Sequence, residues 1–124
     1  MIQQALKTRG EDFGLVNAQA YIALQENDLA AARAFADKSL MLKPNNPIAL
    51  HQRALVKLRE EQPDVSGAIV DLKVAIQQAP TNVELRLTAS EAYLRRRDRD
   101  SAIRELEVAS SIAPRNQTVW SRLM

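Results

Sequence analysis

The side chains that most often carry chemistry are scarce in this 124-residue chain. It has one histidine, His51, and no cysteine, so a thiol nucleophile, a disulfide and a multi-histidine metal site are excluded. Glu60 and Glu61 are adjacent, and neighbouring residues point in different directions on a helix, so they do not form a general acid–base pair. The sequence also lacks a glycine-rich phosphate loop and a nucleophile-elbow motif. We therefore predict a non-enzymatic protein with no cofactor and no metal ion.

The charged residues give little support for nucleic-acid binding. Seventeen Lys and Arg against fifteen Asp and Glu leave a net charge of +2, which is too small to predict a strong electrostatic surface. The run Arg95-Arg96-Arg97 offers binding of an anionic polymer as an alternative function. However, no aromatic residue interleaves with it for base stacking, and the helix dipole favours cations at a helix C-terminus. We expect a solvated turn here, and nucleic acid is not an expected partner.

Two residues keep two interpretations each. His51 is either a pH-sensitive contact with a partner or a partly exposed structural histidine, and we favour the structural role. Tyr21 is either a partner contact or a packed core aromatic.

The composition favours helices over strands. Hydrophobic residues make up 46% of the chain but aromatic residues only 4%, which suits helices packed through small side chains better than a sheet. No apolar run approaches the length needed to span a membrane, so we predict no membrane insertion. The expected fold class is all-α.

One sequence pattern occurs three times and ends at Pro44, Pro80 and Pro114, which are 36 and 34 residues apart. Regular spacing in this range predicts an array of stacked helix pairs. Mostly small residues precede each proline at matching positions: Ala32, Ala36 and Ser39; Ala68, Leu72 and Ala75; Ala102, Leu106 and Ala109.

The repeat divides the chain into units of two helices. Complete units are expected at 13–46, 47–82 (with two extra residues in its turn) and 83–116. Residues 1–12 are expected to end the second helix of an earlier unit, and 117–124 to start a further helix. This gives about seven helices, counting the partial ones, in a fragment of a longer protein. Predicted second helices span 29–42, 65–78 and 99–113.

Several helix starts have local signals. Asp28 and Asp64 are predicted N-caps, and Asn46 before Pro47 predicts a cap followed by proline in the first turn. Thr81 and Glu84 have the spacing of a capping box.

The recurring residues resemble those of the tetratricopeptide repeat (TPR) family, whose unit is a 34-residue helix-turn-helix ending in proline. The resemblance implies a right-handed α-α superhelix. The family's small residue in the first helix corresponds to Ala20, Ala54 and Ser90. The sequence departs from the family pattern in the first helix of each unit. The position of the family's leucine is occupied by Gln19, Arg53 and Ala89. The position of its aromatic residue is occupied by Ala23, Lys57 and Tyr93. Leucine recurs at Leu24, Leu58 and Leu94.

The resemblance implies a protein-interaction scaffold whose first helices line a concave groove for a partner peptide or helix. The groove residues expected from it are Asn17, Tyr21, Gln25, His51, Gln52, Leu55, Arg59, Leu87, Thr88, Glu91 and Arg95, with Ser121 in the partial last unit.

One variant of the family clamps the C-terminal carboxylate of chaperones with lysine, asparagine and arginine. The matching positions here hold Asn17, Tyr21, Gln52, Glu84 and Thr88, so we predict no binding of chaperone tails.

Self-association is an alternative function, through apolar faces at the ends of the array near Ile2, Leu6, Val119 and Leu123. Trp120 is expected in a core between repeats. The cysteine-free, alanine- and arginine-rich sequence also resembles bacterial TPR proteins of envelope assembly, including exopolysaccharide and pilus machinery. It is compatible with the bacterial cytoplasm and with the periplasm.

Overall fold

The computed structural model describes residues 12–123, and these form a series of helices. In chain order the helices are α1 (Phe13–Gln25), α2 (Leu29–Leu42), α3 (Pro47–Arg59), α4 (Val65–Gln78), α5 (Val83–Arg95), α6 (Arg99–Ile112) and α7 (Gln117–Leu123). Residues 1–11 lie outside the described part, so the expected helix there, with Ile2 and Leu6, has no structural counterpart to compare.

The helices pack as hairpins stacked side by side. The closest packing joins α1 to α2, α3 to α4 and α5 to α6, and each hairpin then packs on the next. The first helices α1, α3 and α5 also contact one another, whereas within residues 12–123 the second helices α2, α4 and α6 do not pack closely together. The first helices therefore line the inner, concave side of the array, and gaps open between the second helices on the convex side.

Side-chain caps set the helix starts. Asp28, Asp64 and Asp98 accept hydrogen bonds from backbone N–H groups three residues ahead, at 2.9–3.1 Å. Such caps satisfy N–H groups that the first turn of a helix leaves unpaired. The two extra residues of the second unit lie in the loop after Arg59, so they leave the helices intact.

The predicted capping box is wrong. Helix α5 begins at Val83, and Asn82 is its N-cap, accepting a hydrogen bond from the Leu85 N–H at 3.2 Å. Since the N-cap is Asn82 and not Thr81, Glu84 lies only two residues after the cap, which is too close for a capping box.

Small side chains fill the sites where helices cross. Each is at most 1% exposed: Ala20, Ala32, Ala36, Ser39, Ala54, Ala68, Ala75, Ser90, Ala102 and Ala109. A larger residue at such a crossing would push the two backbones apart.

Two residues of α7 differ from expectation, and one leucine of α5 differs from its counterparts in the earlier repeats. Leu24 and Leu58 are buried, but Leu94 at the corresponding position is 52% exposed. Val119 is fully buried, packed with Leu87 and Leu106, while Trp120 is 43% exposed. Trp120 is therefore not a core residue, and Val119 does not contribute to an exposed apolar face.

Arg97 offers a test of the turn geometry. It has φ 61°, in the left-handed region, where the corresponding turn of the first hairpin has Asn27 with φ 57°. Asparagine tolerates this conformation better than other non-glycine residues. We expect Arg97→Asn to raise the free energy of unfolding by about 0.5 kcal/mol, measured by urea denaturation. The reciprocal variant Asn27→Arg should lower it, and equal midpoints for all three proteins would contradict the argument.

Candidate functional site

Six of the predicted groove residues line one pocket on the concave side. This pocket, which we call the groove, has a volume of about 230 Å³ and lies between α1 and α3. Helical spacing brings its residues to one face of each helix, since positions four apart are neighbours. The predicted members are Tyr21, Gln25, His51, Gln52, Leu55 and Arg59.

Sequence reasoning missed other residues of the groove. Pro47 and Ile48 lie one turn before His51 on the same face, and Ile48 is exposed. Their spacing of four and three residues from His51 was a usable signal. Leu24 and Asn82 complete the lining, and Asn82 is the N-cap of α5.

Three predicted groove residues are buried and absent from the groove lining: Asn17, Leu87 and Thr88, whose hydroxyl is bonded to His51. Leu87 packs in the core with Leu106 and Val119. Asn17 is buried because it forms a polar network, accepting from the Ser39 hydroxyl at 2.5 Å and donating to Asn46 Oδ1 at 3.3 Å. The Leu87 and Asn17 side chains stabilise the stack and are unavailable to a partner.

Gln52 is buried at the floor of the groove. Its Nε2 donates to the Asn17 carbonyl at 3.0 Å, which ties α3 to α1. Its Oε1 has no hydrogen-bond partner among residues 12–123. One acceptor under the groove is therefore unsatisfied.

Two arginines join successive first helices. Arg59, the last residue of α3, donates to the Leu24 carbonyl of α1 at 3.3 Å, and Arg95, the last residue of α5, donates to the Leu58 carbonyl at 2.7 Å. These carbonyls lie at helix C-termini, where a cation is favoured. Arg95 also lies 3.9 Å from the Glu91 carboxylate. Both arginines remain exposed, so each positions the stack and still presents charge.

His51 has a defined protonation state. The Thr88 hydroxyl donates to the Glu84 carbonyl at 3.0 Å, so it accepts from His51 Nε2–H across a 2.8 Å contact. Burial lowers the pKa of His51 from 6.5 to about 4. His51 is therefore neutral near pH 7 and links α3 to α5, as the structural interpretation expects.

The lowered pKa predicts acid sensitivity. As the pH falls from about 6.5 to about 4, the unfolded chain takes up a proton that the folded chain does not. We expect the free energy of unfolding to fall by about 2 kcal/mol between pH 7 and pH 4.5 because of His51 alone. His51→Gln should remove that part of the loss, and urea denaturation at both pH values measures it. Carboxylates titrate in both proteins alike, so parallel losses in the two would contradict the prediction.

Other site types are not formed in the described part of the chain. Residues 12–123 contain no group of three or more His, Asp or Glu side chains placed to hold a metal ion. None of the helices α1–α7 has the length and apolar character needed to cross a membrane.

Solved structures confirm the all-α TPR solenoid. The Arabidopsis OM64 TPR domain superposes with a TM-score of 0.80 at 19% identity, covering 90% of each chain. The first TPR of Spaghetti (RPAP3), bound to the HSP90 peptide SRMEEVD, gives 0.83 at 15% identity, covering 90% of this chain and 89% of that one. A Thermobaculum terrenum O-GlcNAc transferase gives 0.82 at 20% identity, covering 90% of this chain but 21% of that one.

Sequence comparison identifies the family. No curated protein sequence matches the chain. A family model described as tetratricopeptide repeat matches residues 60–124. Since that match spans more than half of the 124 residues, this chain belongs to the tetratricopeptide repeat family.

Proposed function

We propose that this chain is a protein-interaction scaffold that binds a segment of a partner protein in the groove. The observation that carries the proposal is the exposed apolar surface on the concave side, where Tyr21 is 57% and Ile48 is 54% exposed. Exposed aromatic anchors beside a pocket are typical of protein-binding sites. TPR proteins bind protein or peptide partners, and one structural neighbour holds a peptide.

The charge of the groove indicates which chemistry a partner segment should have. Arg59 is the one ionised side chain among the described lining residues, because His51 is neutral near pH 7. A segment with an apolar side chain next to a carboxylate would match this lining. The apolar group would contact Tyr21 and Leu55, and the carboxylate would pair with the exposed part of Arg59. Such a segment binds extended or as a helix laid in the groove.

Chaperone tails stay outside the proposed partners. The positions that form the carboxylate clamp in one TPR variant hold Asn17, Tyr21, Gln52, Glu84 and Thr88 here, without lysine or arginine. Asn17, Gln52 and Thr88 are also buried and bonded to other helices. Because these side chains are already hydrogen-bonded within the protein, we expect that they do not bind the carboxylate of a chaperone peptide.

Tyr21→Ala tests the groove. We expect selection from a displayed library of random peptides to yield binders that lose at least about tenfold in affinity for Tyr21→Ala, because an aromatic anchor is removed. Since Tyr21 is exposed, Tyr21→Ala should change the free energy of unfolding of the protein by less than about 0.5 kcal/mol. Calorimetry measures both affinities, and the HSP90 peptide SRMEEVD is expected to bind no more tightly than the same peptide with its C-terminal carboxylate amidated.

The matched control is Val70→Ala, which truncates an apolar residue 61% exposed on α4, outside the groove lining. Selected peptides should bind it as they bind the unaltered chain. Equal affinity for Tyr21→Ala and Val70→Ala, or tight binding of SRMEEVD through its carboxylate, would contradict the proposal.

The two alternative functions have weaker support. Self-association through the C-terminal end has less support, because Val119 was expected on the exposed apolar face there and is buried instead. Binding of an anionic polymer would depend on the short run Arg95-Arg96-Arg97 in a chain whose net charge is only +2.

A further inference from the structure

The two gaps between second helices on the convex side are filled differently. In the gap between α2 and α4, Arg53 reaches out from α3 and bridges both walls. Its guanidinium donates to Asp37 of α2 at 3.1 Å and to Asp71 of α4 at 2.8 and 3.1 Å. Lys57 adds a contact of 2.9 Å to Asp71. This gap is closed by the protein's own side chains.

The gap between α4 and α6 is open. Counting from the repeat prolines, Ala89 takes the position of Arg53, and Tyr93 that of Lys57. The walls carry Lys73 and Glu105 where the first gap has Asp37 and Asp71. A cavity of about 160 Å³ remains there, which we call the convex cavity. Its lining residues are Ile69, Leu72, Lys73, Ile76, Gln77, Ala89, Tyr93 and Glu105.

We propose that the convex cavity binds one aromatic side chain of a partner polypeptide, next to a carboxylate of that partner. The bound ring would occupy the space that Arg53 fills in the preceding gap. This site is separate from the groove and uses the opposite side of the array.

The volume of the cavity selects a single ring. An apolar protein cavity of about 150 Å³ is large enough for benzene, whereas sites for drug-sized ligands run to about 300–1,000 Å³. Ile69, Leu72, Ile76 and Ala89 supply apolar contacts. The Tyr93 ring forms another part of the wall and can pack against a second ring edge to face.

The charges around the cavity favour a carboxylate beside that ring. Glu105 is paired with Arg86 at 3.1 Å, while Lys73 is exposed and makes no ion pair within residues 12–123. Lys73 is therefore the charged lining residue that is left to pair with a carboxylate of the partner.

Three small probes test the site by methyl NMR. They carry the same ring with different charge: N-acetyl-phenylalanine (anionic), its amide (neutral) and phenethylamine (cationic). We expect N-acetyl-phenylalanine to shift the methyl signals of Ile69, Leu72 and Ile76, with those of Leu55 in the groove unchanged. It should bind about threefold tighter than phenethylamine, the size of a solvent-exposed charge contact. Absence of shifts at the three residues, or tighter binding of phenethylamine, would overturn the proposal.

Variants separate the cavity from the groove. Ala89→Leu fills the cavity and should weaken N-acetyl-phenylalanine binding at least about tenfold, with circular dichroism checking that the helices persist. Lys73→Gln, an exposed position, keeps the fold and should abolish the preference for the anion. Tyr21→Ala should leave probe binding unchanged. The proposal would be overturned if N-acetyl-phenylalanine bound Ala89→Leu as tightly as the unaltered chain, or if Lys73→Gln still preferred the anionic probe to the cationic one. Neither result bears on peptide binding in the groove.

Discussion

Replacing Asp71 by alanine is expected to lower the free energy of unfolding by about 3–5 kcal/mol, because it leaves partly buried cations without a partner. The Asp71 side chain is 4% exposed and pairs with Arg53 at 2.8 Å and Lys57 at 2.9 Å. Hydrogen bonding to Asp71 is also the main cause that raises the pKa of Arg53. With the carboxylate gone, the Lys57 side chain, 13% exposed, would lose its ion-pair partner.

The matched control for this variant is Asp37→Ala. Asp37 binds the same Arg53 guanidinium at 3.1 Å, but its side chain is 49% exposed, so its loss should cost less than about 1 kcal/mol. Urea denaturation of both variants gives the two free energies, provided that the slope with urea is unchanged. Similar costs for Asp71→Ala and Asp37→Ala would show that the network acts as an ordinary surface ion pair.

Asn46→Ala is expected to cost about 3 kcal/mol, more than the loss of a helix cap alone. Asn46 accepts from the Ala49 N–H at 2.9 Å as the N-cap of α3. Its amide nitrogen also donates to the Lys43 carbonyl at 2.9 Å and to the Ser39 hydroxyl at 3.2 Å. Asn46 is 3% exposed, so its removal leaves Asn17 and Ser39 with unsatisfied buried groups.

Asn82 offers a control with the same residue type and the same role. It caps α5 by accepting from the Leu85 N–H at 3.2 Å but is exposed, so Asn82→Ala should cost about 1 kcal/mol. Thermal and urea unfolding of the two variants would measure the difference. Equal costs would mean that the buried network around Asn46 adds nothing to stability.

The repeat sequence predicted the helices well because their signals are local. Prolines at 36- and 34-residue spacing end each unit, and the caps Asp28 and Asp64 start helices at Leu29 and Val65 as predicted. A cap acts on N–H groups two or three residues away, and the small residues recur with the helix period. The exception, Thr81, failed because Asn82 beside it offered a competing cap.

The groove was only partly predictable. Helical spacing brings Tyr21, His51 and Arg59 to the pocket, since a face is a local property of a helix. Spacing does not reveal how closely the next helix packs on that face. Asn17 and Leu87 share the periodicity of groove residues, yet neighbouring helices bury them.

By itself the sequence determined the helices, most of their caps and the small residues at their crossings, because these depend on neighbours within a few positions. The role of the departures from the family pattern was decided only by the tertiary structure. Arg53 joins Asp37 and Asp71 from two other helices, whereas Ala89 at the same position leaves a cavity. Whether such a position forms an ion network or leaves a cavity depends on which side chains face it from other helices. Those side chains are distant in the sequence, so the sequence pattern alone does not identify the contact.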